Sequence, residues 1–297
     1  MEKRLMARRL RENMHAWLLL LPTFVFLAMF TFYPLYKTVA TSFYLKKLAI
    51  RVPQFIGGEN YRNLWEDAKF WKVLGNTIVF VLGTAPIAMA IALAMALFVN
   101  RAVRGSGFMR TFYFYPTVIP AVAIANIWLF IYTPRYGILN SILGWFHIPS
   151  VNWLGDVGTV LGSTIAMAIW KEAGFLMVFY LSGLQNIPKD LYEAADIDGG
   201  RPWYIFRKVT FPLLMPSTLF IFIIATTGTF KLVDHLPVMT GGGPDNASNL
   251  LLYLIYETAF KFWDEGMAAT LTVVLIVLLL IVSCIQFFGL DKKIHYS

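Results

Sequence analysis

The stretch "EAADIDGGRPWYIFRKV" (193–209) decides how this chain is read. It is charged, broken by glycines and closed by aromatics, yet it stands between two long apolar runs. With the residues before it, "NIPKDLYEAADID" predicts a short helix. Pro188 suits its first turn, where a missing N–H costs nothing, and Asp190 sits at the positive end of the helix dipole. Gly199 and Gly200 stop the helix, because glycine readily takes the left-handed cap conformation. Arg201-Pro202 opens a second helix, "RPWYIFRKVTFPLLMPS", which carries Trp203, Tyr204 and Phe206 at a membrane interface before it enters the apolar phase. The stretch thus reads as a helix–turn–helix beneath a bilayer. An amphipathic loop that only joins two helices satisfies the same residues. A presented helix with the small Ala194 and Ala195 also suits close docking into another protein's groove.

Composition supports the bilayer. The chain has 297 residues, of which 58% are hydrophobic and 14% charged. A soluble chain of this size carries roughly 25% charged residues. Mean hydropathy is +0.63. The apolar residues come in long runs without period-2 alternation, which predicts transmembrane helices of about 20 residues each. Six spans are expected, at 15–43, 72–99, 110–132, 158–184, 210–233 and 266–289. The fold class is therefore all-α and polytopic. A single membrane domain is expected over 15–289, with tails at 1–14 and 290–297 and a loop at 185–209. The first run, Trp17 to Tyr36, is longer than the 7–15 residues of a signal-peptide core and is followed by no A-x-A site, so it reads as an uncleaved helix.

The net charge of +8 does not point to nucleic acid. The basic residues flank apolar runs, where they act as topology signals. One face collects Lys3, Arg4, Arg8, Arg9, Arg11, Arg101, Arg104, Arg110, Lys189, Arg201, Arg207, Lys208, Lys292 and Lys293. The other has Lys46, Lys47, Arg51, Arg62, Lys69 and Lys72 in its first loop, and later only Arg135 and Lys261. The contrast is weak at the first loop and clear afterwards. Both termini and the 185–209 loop are expected on the cytoplasmic side. The outer segments 55–77, 136–156 and 240–263 mix aromatic and polar groups; the last is expected to be a glycine turn followed by a short interfacial helix. The single Cys284 makes no intrachain disulfide. His15, His147, His235 and His295 are scattered, and no metal site is expected.

"EAADIDG" followed by "FPLLMPS" resembles the EAA loop of ABC-importer permeases. "MTGGGP" (239–244), "YETAF" (256–260), "LSGLQNIPKDLYEAADIDG" (181–199) and "WEDAKFWKVLGNT" (65–77) are similar to the carbohydrate-uptake branch, the maltose and glycerol-3-phosphate permeases. The chain resembles the short six-helix form, not the maltose-type long form. Phe211 stands for the usual aliphatic residue before Pro212, and Gly200 for the common Ala. The resemblance implies a type I importer permease in a prokaryotic cytoplasmic (inner) membrane. Its partners would be a second homologous permease, two cytoplasmic ATPase subunits and an extracytoplasmic substrate-binding protein. Glu193, Ala194, Ala195, Asp196, Asp198 and Gly199 would form the coupling helix, seated in a cleft of the ATPase. ATP and Mg would belong to that ATPase, and this chain would hold no cofactor.

Trp170-Lys171-Glu172 falls near the middle of the fourth span. A charge there costs about 3 kcal/mol on insertion scales and marks a pathway or a paired site. Adjacent helix residues point about 100° apart, so the two charges need not meet each other, and pairing with a neighbouring subunit is a structural alternative. By the resemblance, Glu172 and Phe175 fall on substrate-contact positions of the maltose-type relative when counted from Glu193. Thr229 and Leu232 do so when counted from the GGGP turn, and Thr117 and Ala121 when counted from Pro116. Only the positions carry over, because the side-chain types differ. Trp170 and Phe175 as stacking groups, with Glu172 and Thr229 as hydrogen-bond partners, suit a carbohydrate. Lys171 with Lys231 suits an anion such as a glycerol phosphate or sugar acid, although Lys231 also reads as a snorkelling residue. An ion-coupled secondary transporter would need coordinating groups inside broken helices, often in two inverted halves, and spans one to three hold no counterpart of the charged pair. A membrane enzyme would need clustered His, Asp or Cys. No G-x-x-x-x-G-K-[ST] loop is present. The reading is a permease subunit, not an enzyme, of an ATP-driven importer for a sugar or oligosaccharide.

Overall fold

The computed structural model describes residues 14, 17–49, 52–100 and 105–290. Lys3, Arg4, Arg8, Arg9, Arg11, His15, Arg51, Arg101, Arg104, Lys292, Lys293 and His295 lie outside the described residues. So do the expected tails, apart from Met14 and Leu290.

In chain order the elements are α1 (Trp17–Thr41), β1 (Tyr44–Leu45), β2 (Gln54–Phe55), α2 (Glu59–Glu66), α3 (Ala68–Asn100), α4 (Ser106–Val118), α5 (Ala121–Tyr132), α6 (Ile138–Trp145), α7 (Val160–Gln185) and α8 (Lys189–Ile197). They continue with α9 (Pro202–Lys231), α10 (Leu236–Met239), α11 (Leu251–Tyr256) and α12 (Glu265–Leu290). Among the described residues the structure is all-α but for the two-residue strands, which pair Tyr44 with Phe55 and Leu45 with Gln54. Among the described residues five helices (α1, α3, α7, α9 and α12) are long and apolar enough to cross a membrane.

The expected third span, 110–132, is not one helix. It consists of α4 and α5, bent by 98° at their junction. The cause is local. Pro120 has no N–H to continue the ladder, and it disfavours helical backbone at the residue before it. Ile119 is accordingly extended, with φ −72° and ψ 132°. Counting this broken pair as one span gives six.

The chain divides into two compact units: one runs up to Glu66 and includes Ile255–Val274, the other comprises Asp67–Leu254 and the residues from Leu275. In the first, the chain after α1 is stitched to the start of α12. Asn60 Nδ2 donates to the carbonyls of Ser42 (2.9 Å) and Tyr44 (3.1 Å), and Gly266 N donates to Lys46 O at 3.1 Å. Lys46 pairs with Glu265, and Lys47 with Asp264 at 2.8 Å.

The second unit is built on a seam of small residues. Ala85, Ala88, Ala92 and Ala96 of α3 recur at steps of three and four, and all are buried against Leu176, Met177, Tyr180 and Leu184 of α7. Lipid is as apolar as leucine, so helix pairing here comes from close backbone approach and dispersion. Leu214, Ile221 and Ala225 of α9 complete this core. Gly174 of α7 meets α4 the same way: a Cβ there would run into the Tyr113 carbonyl oxygen.

In the 240–263 segment the expected short helix is α11 (Leu251–Tyr256), and it is packed on one side. Leu250, Leu251, Tyr253 and Leu254 are buried. Asn76 Nδ2 donates to the carbonyls of Asn246 (2.7 Å) and Asn249 (3.2 Å), and Leu251 N donates to Thr77 Oγ1 at 2.8 Å. Asparagine and threonine side chains of α3 thus satisfy the loop backbone and allow it to be buried.

Candidate coupling helix and substrate pathway

The α8 helix is short, exposed and firmly held at both ends. Ile187, in the link from α7, is buried in the α3–α7 core. Pro188 caps the helix from just outside, with φ −57° and ψ 134°, one residue earlier than the expected first turn. At the other end Gly199 has φ +75°. Gly199 N donates to Asp196 O (3.0 Å) and Gly200 N to Ala195 O (2.9 Å). These two bonds form a Schellman motif, which satisfies carbonyls that the helix end would leave open. Arg201 is extended and Pro202 opens α9. Trp203 and Tyr204 are exposed, and the Trp203 ring stacks on Phe206 at 5.4 Å.

No residue of α8 is buried. Glu193, Ala194 and Asp196 are exposed, as are Asp198 and Gly199 beyond its end, while Ala195 is half-buried. Tyr192 turns inward, where its hydroxyl accepts a hydrogen bond from Thr210 Oγ1 at 3.3 Å. Two residues not singled out from the sequence stand out here. Ile197 is 86% exposed and Leu191 is exposed as well. With Ala194 they recur every third residue and form an apolar stripe on an otherwise charged helix. That spacing was the available signal, but it is short and easily lost in an apolar chain.

The residues expected along a pathway separate into two groups. Trp170, Lys171 and Glu172 stand together on α7. Lys171 Nζ lies 3.6 Å from the Glu172 carboxylate, so these neighbours do bend towards each other, and both are half-buried. Trp170 is 41% exposed and meets Trp128 of α5 edge-on at 5.9 Å. Two contacts bracket the broken span against α7: α4 touches it at Gly174, and α5 buries Ile124 and Ala125 with Met167. The break at 119–120 therefore lies level with residues 170–172. Thr117 and Ala121 flank it, and both are half-buried. Thr117 Oγ1 is buried and makes no hydrogen bond among the described residues. Trp128 was missed because a tryptophan in an apolar helix ordinarily reads as packing.

Thr229 and Leu232 do not join this group as open side chains. Thr229 is 2% exposed, and its hydroxyl donates to the Ala225 carbonyl at 2.8 Å. Leu232 is buried with Phe80 and Leu236. Phe175 is partly buried and meets Phe179 edge-on at 5.1 Å. Lys231 is exposed in the last turn of α9.

The chain is similar to proteins of one kind over nearly its whole length. Residues 87–294 match the family described as binding-protein-dependent transport system inner membrane component. The sn-glycerol-3-phosphate transport system permease protein UgpA of Agrobacterium fabrum is 33% identical over 285 residues, covering 95% of this chain and 96% of that protein. The sulfoquinovosyl glycerol transport system permease protein SmoG of the same organism is 32% identical, covering 93% and 90%. Among solved structures, a chain of a bacterial alginate ABC transporter, in complex with a pentasaccharide-bound periplasmic protein, shares the fold with a TM-score of 0.82 at 20% identity, over 94% of each chain. The long apolar helices, the broken span and this agreement lead to one conclusion: the chain is a multi-pass membrane protein that belongs to the family of inner membrane components, the permease subunits, of binding-protein-dependent ABC importers.

Proposed function

We propose that this chain forms half of the translocation path for a sugar or oligosaccharide, and that α8 couples it to a separate ATPase. The observation that carries the proposal is the exposed α8 itself. It is an apolar stripe of Leu191, Ala194 and Ile197 on a charged helix, locked between two spans by Pro188 and the Gly199 cap. A short helix held rigidly between two spans transmits a rigid-body motion, which is what an ATPase closing beneath it would need. Glu193, Asp196 and Asp198 supply anionic partners for cations on the ATPase. ATP and Mg belong to that subunit, since this sequence has no phosphate loop of the G-x-x-x-x-G-K-[ST] kind. Assembly with a second homologous permease, two ATPase subunits and an extracytoplasmic binding protein follows from this role. It puts both termini and the 185–209 loop on the cytoplasmic side.

The pathway is assigned to the region of the α4–α5 break, with Thr117, Ala121, Trp170, Lys171 and Glu172 as contacts. Broken helices give a buried polar site its unpaired backbone groups, and Trp170 offers a ring face to a sugar. The relatives named for glycerol-3-phosphate and sulfoquinovosyl glycerol carry anionic cargo. Lys171, half-buried at the same level, favours an anionic sugar derivative as the second reading.

The test is uptake in cells whose own copy is deleted. Glu193→Lys and Gly199→Trp are expected to abolish uptake while the chain still inserts in the membrane and the binding protein is still made. Normal uptake in both variants overturns the coupling role.

A further inference from the structure

His235 stands between the end of α9 and the start of α10, and its side chain is 1% exposed. Its ring lies nearly parallel to that of Phe80 in α3, at 5.9 Å and 15°. Phe80 in turn shares a buried cluster with Ala168 of α7, Leu232, Leu236 and Tyr253. The chain therefore covers this ring by itself, whatever subunit or lipid meets its outer faces.

Neither ring nitrogen makes a hydrogen bond among the described residues. A polar group buried without a partner costs stability, and a phenylalanine would stack on Phe80 without that cost. Burial, and after it the Lys171 ammonium, lower the pKa of His235 to about 3, so the ring is neutral. A neutral imidazole has one donor and one acceptor, which is what a hydroxyl group needs, and it adds no charge to balance an anion. The influence of Lys171 puts the ring near residues 170–172. The turn that follows leads to the broken span: Met239 of α10 is buried with Ile124 and Ala125 of α5 and Met167 of α7. The links on both sides of α10 are not helical. Leu232 is extended, with ψ 94°, and Gly241 and Gly242 are left-handed. Joints of this kind absorb a shift of the single turn between them.

Resting on the path assigned to the region of the break, we propose that His235 is a specificity residue that takes a hydroxyl of a sugar or polyol cargo when α10 shifts and brings the ring into that path. Lys171 then answers any anionic group of the cargo, and His235 reads a hydroxyl.

The test is uptake in cells whose own copy is deleted, offered maltose, lactose, trehalose and sn-glycerol 3-phosphate, with the melting temperature of each purified variant in detergent. His235→Phe keeps the stack and removes both nitrogens. It is expected to lower uptake of the carried probe about tenfold, the upper range for one neutral hydrogen bond, without lowering the melting temperature. His235→Gln, which keeps a donor and an acceptor, should recover uptake although it loses the stack and melts lower. One monodeoxy form of the carried probe should enter equally with wild type and His235→Phe, because the hydroxyl that His235 reads is missing from it. Wild-type uptake in His235→Phe, uptake that follows the melting temperature across the two variants, or the same loss for every deoxy form would each overturn the proposal. Trp170→Ala separates it from the reading it rests on. Unchanged uptake there removes the path at the break, whereas reduced uptake there beside normal uptake in His235→Phe removes the role of His235 alone. Uptake of none of the four probes by the wild type would remove the cargo class and the proposal with it.

Discussion

Ile197 leaves most of its side chain in solvent, next to the charged run Asp196-Ile197-Asp198. Ile197→Asp removes no packing, so stability should change by no more than about 0.5 kcal/mol. Uptake should nevertheless fall sharply, because a charge would be placed where an ATPase is expected to dock. The check is a thermal melt in detergent alongside an uptake assay. A parallel loss of stability and uptake would make Ile197 a folding residue. Lys171→Ala is expected to weaken transport of an anionic cargo such as glycerol 3-phosphate more than that of a neutral sugar. Equal loss for both would make Lys171 a structural partner of Glu172. At this scale the sequence was informative where backbone chemistry fixed the outcome. Gly199 reads as a helix stop, and it adopts φ +75°. It was silent where packing decided. Nothing near Thr229 in the chain announces that its hydroxyl bonds to Ala225 and is buried.

The broken span is the element that sets this membrane domain apart from a plain bundle. Two prolines four residues apart, Pro116 and Pro120, are visible in the sequence. The apolar run through them is continuous, however, and hydropathy does not report the angle at which helices meet. The 98° bend needs Ile119 extended and α7 close enough to brace both halves. Pro120→Ala restores the missing donor and is expected to reduce transport while leaving insertion intact; wild-type uptake would remove the break from the pathway. Gly174→Val tests the brace. Its side chain would press on the Tyr113 carbonyl, and overpacking of this kind costs about 1–3 kcal/mol. A lowered melting temperature in detergent is the expected readout. The span positions themselves were legible to within a few residues at α7 and α12, because long apolar runs have few alternatives in a bilayer. The start of α9 was legible as well, since Arg201-Pro202 reads as a helix start and one helix does run from Pro202 to Lys231.

For the whole molecule, the chain belongs to a family of importer permease subunits, and under the proposed coupling role the exposed α8, with its apolar stripe, is where it would take up energy from another chain. The most direct measurement is purification of this chain from its native membrane in mild detergent, with mass spectrometry of what accompanies it. The account predicts a second six-helix permease and an ATPase with a phosphate loop, the ATPase being lost in Ile197→Asp while the second permease stays. Recovery of the chain by itself, transporting in liposomes without ATP, would contradict it.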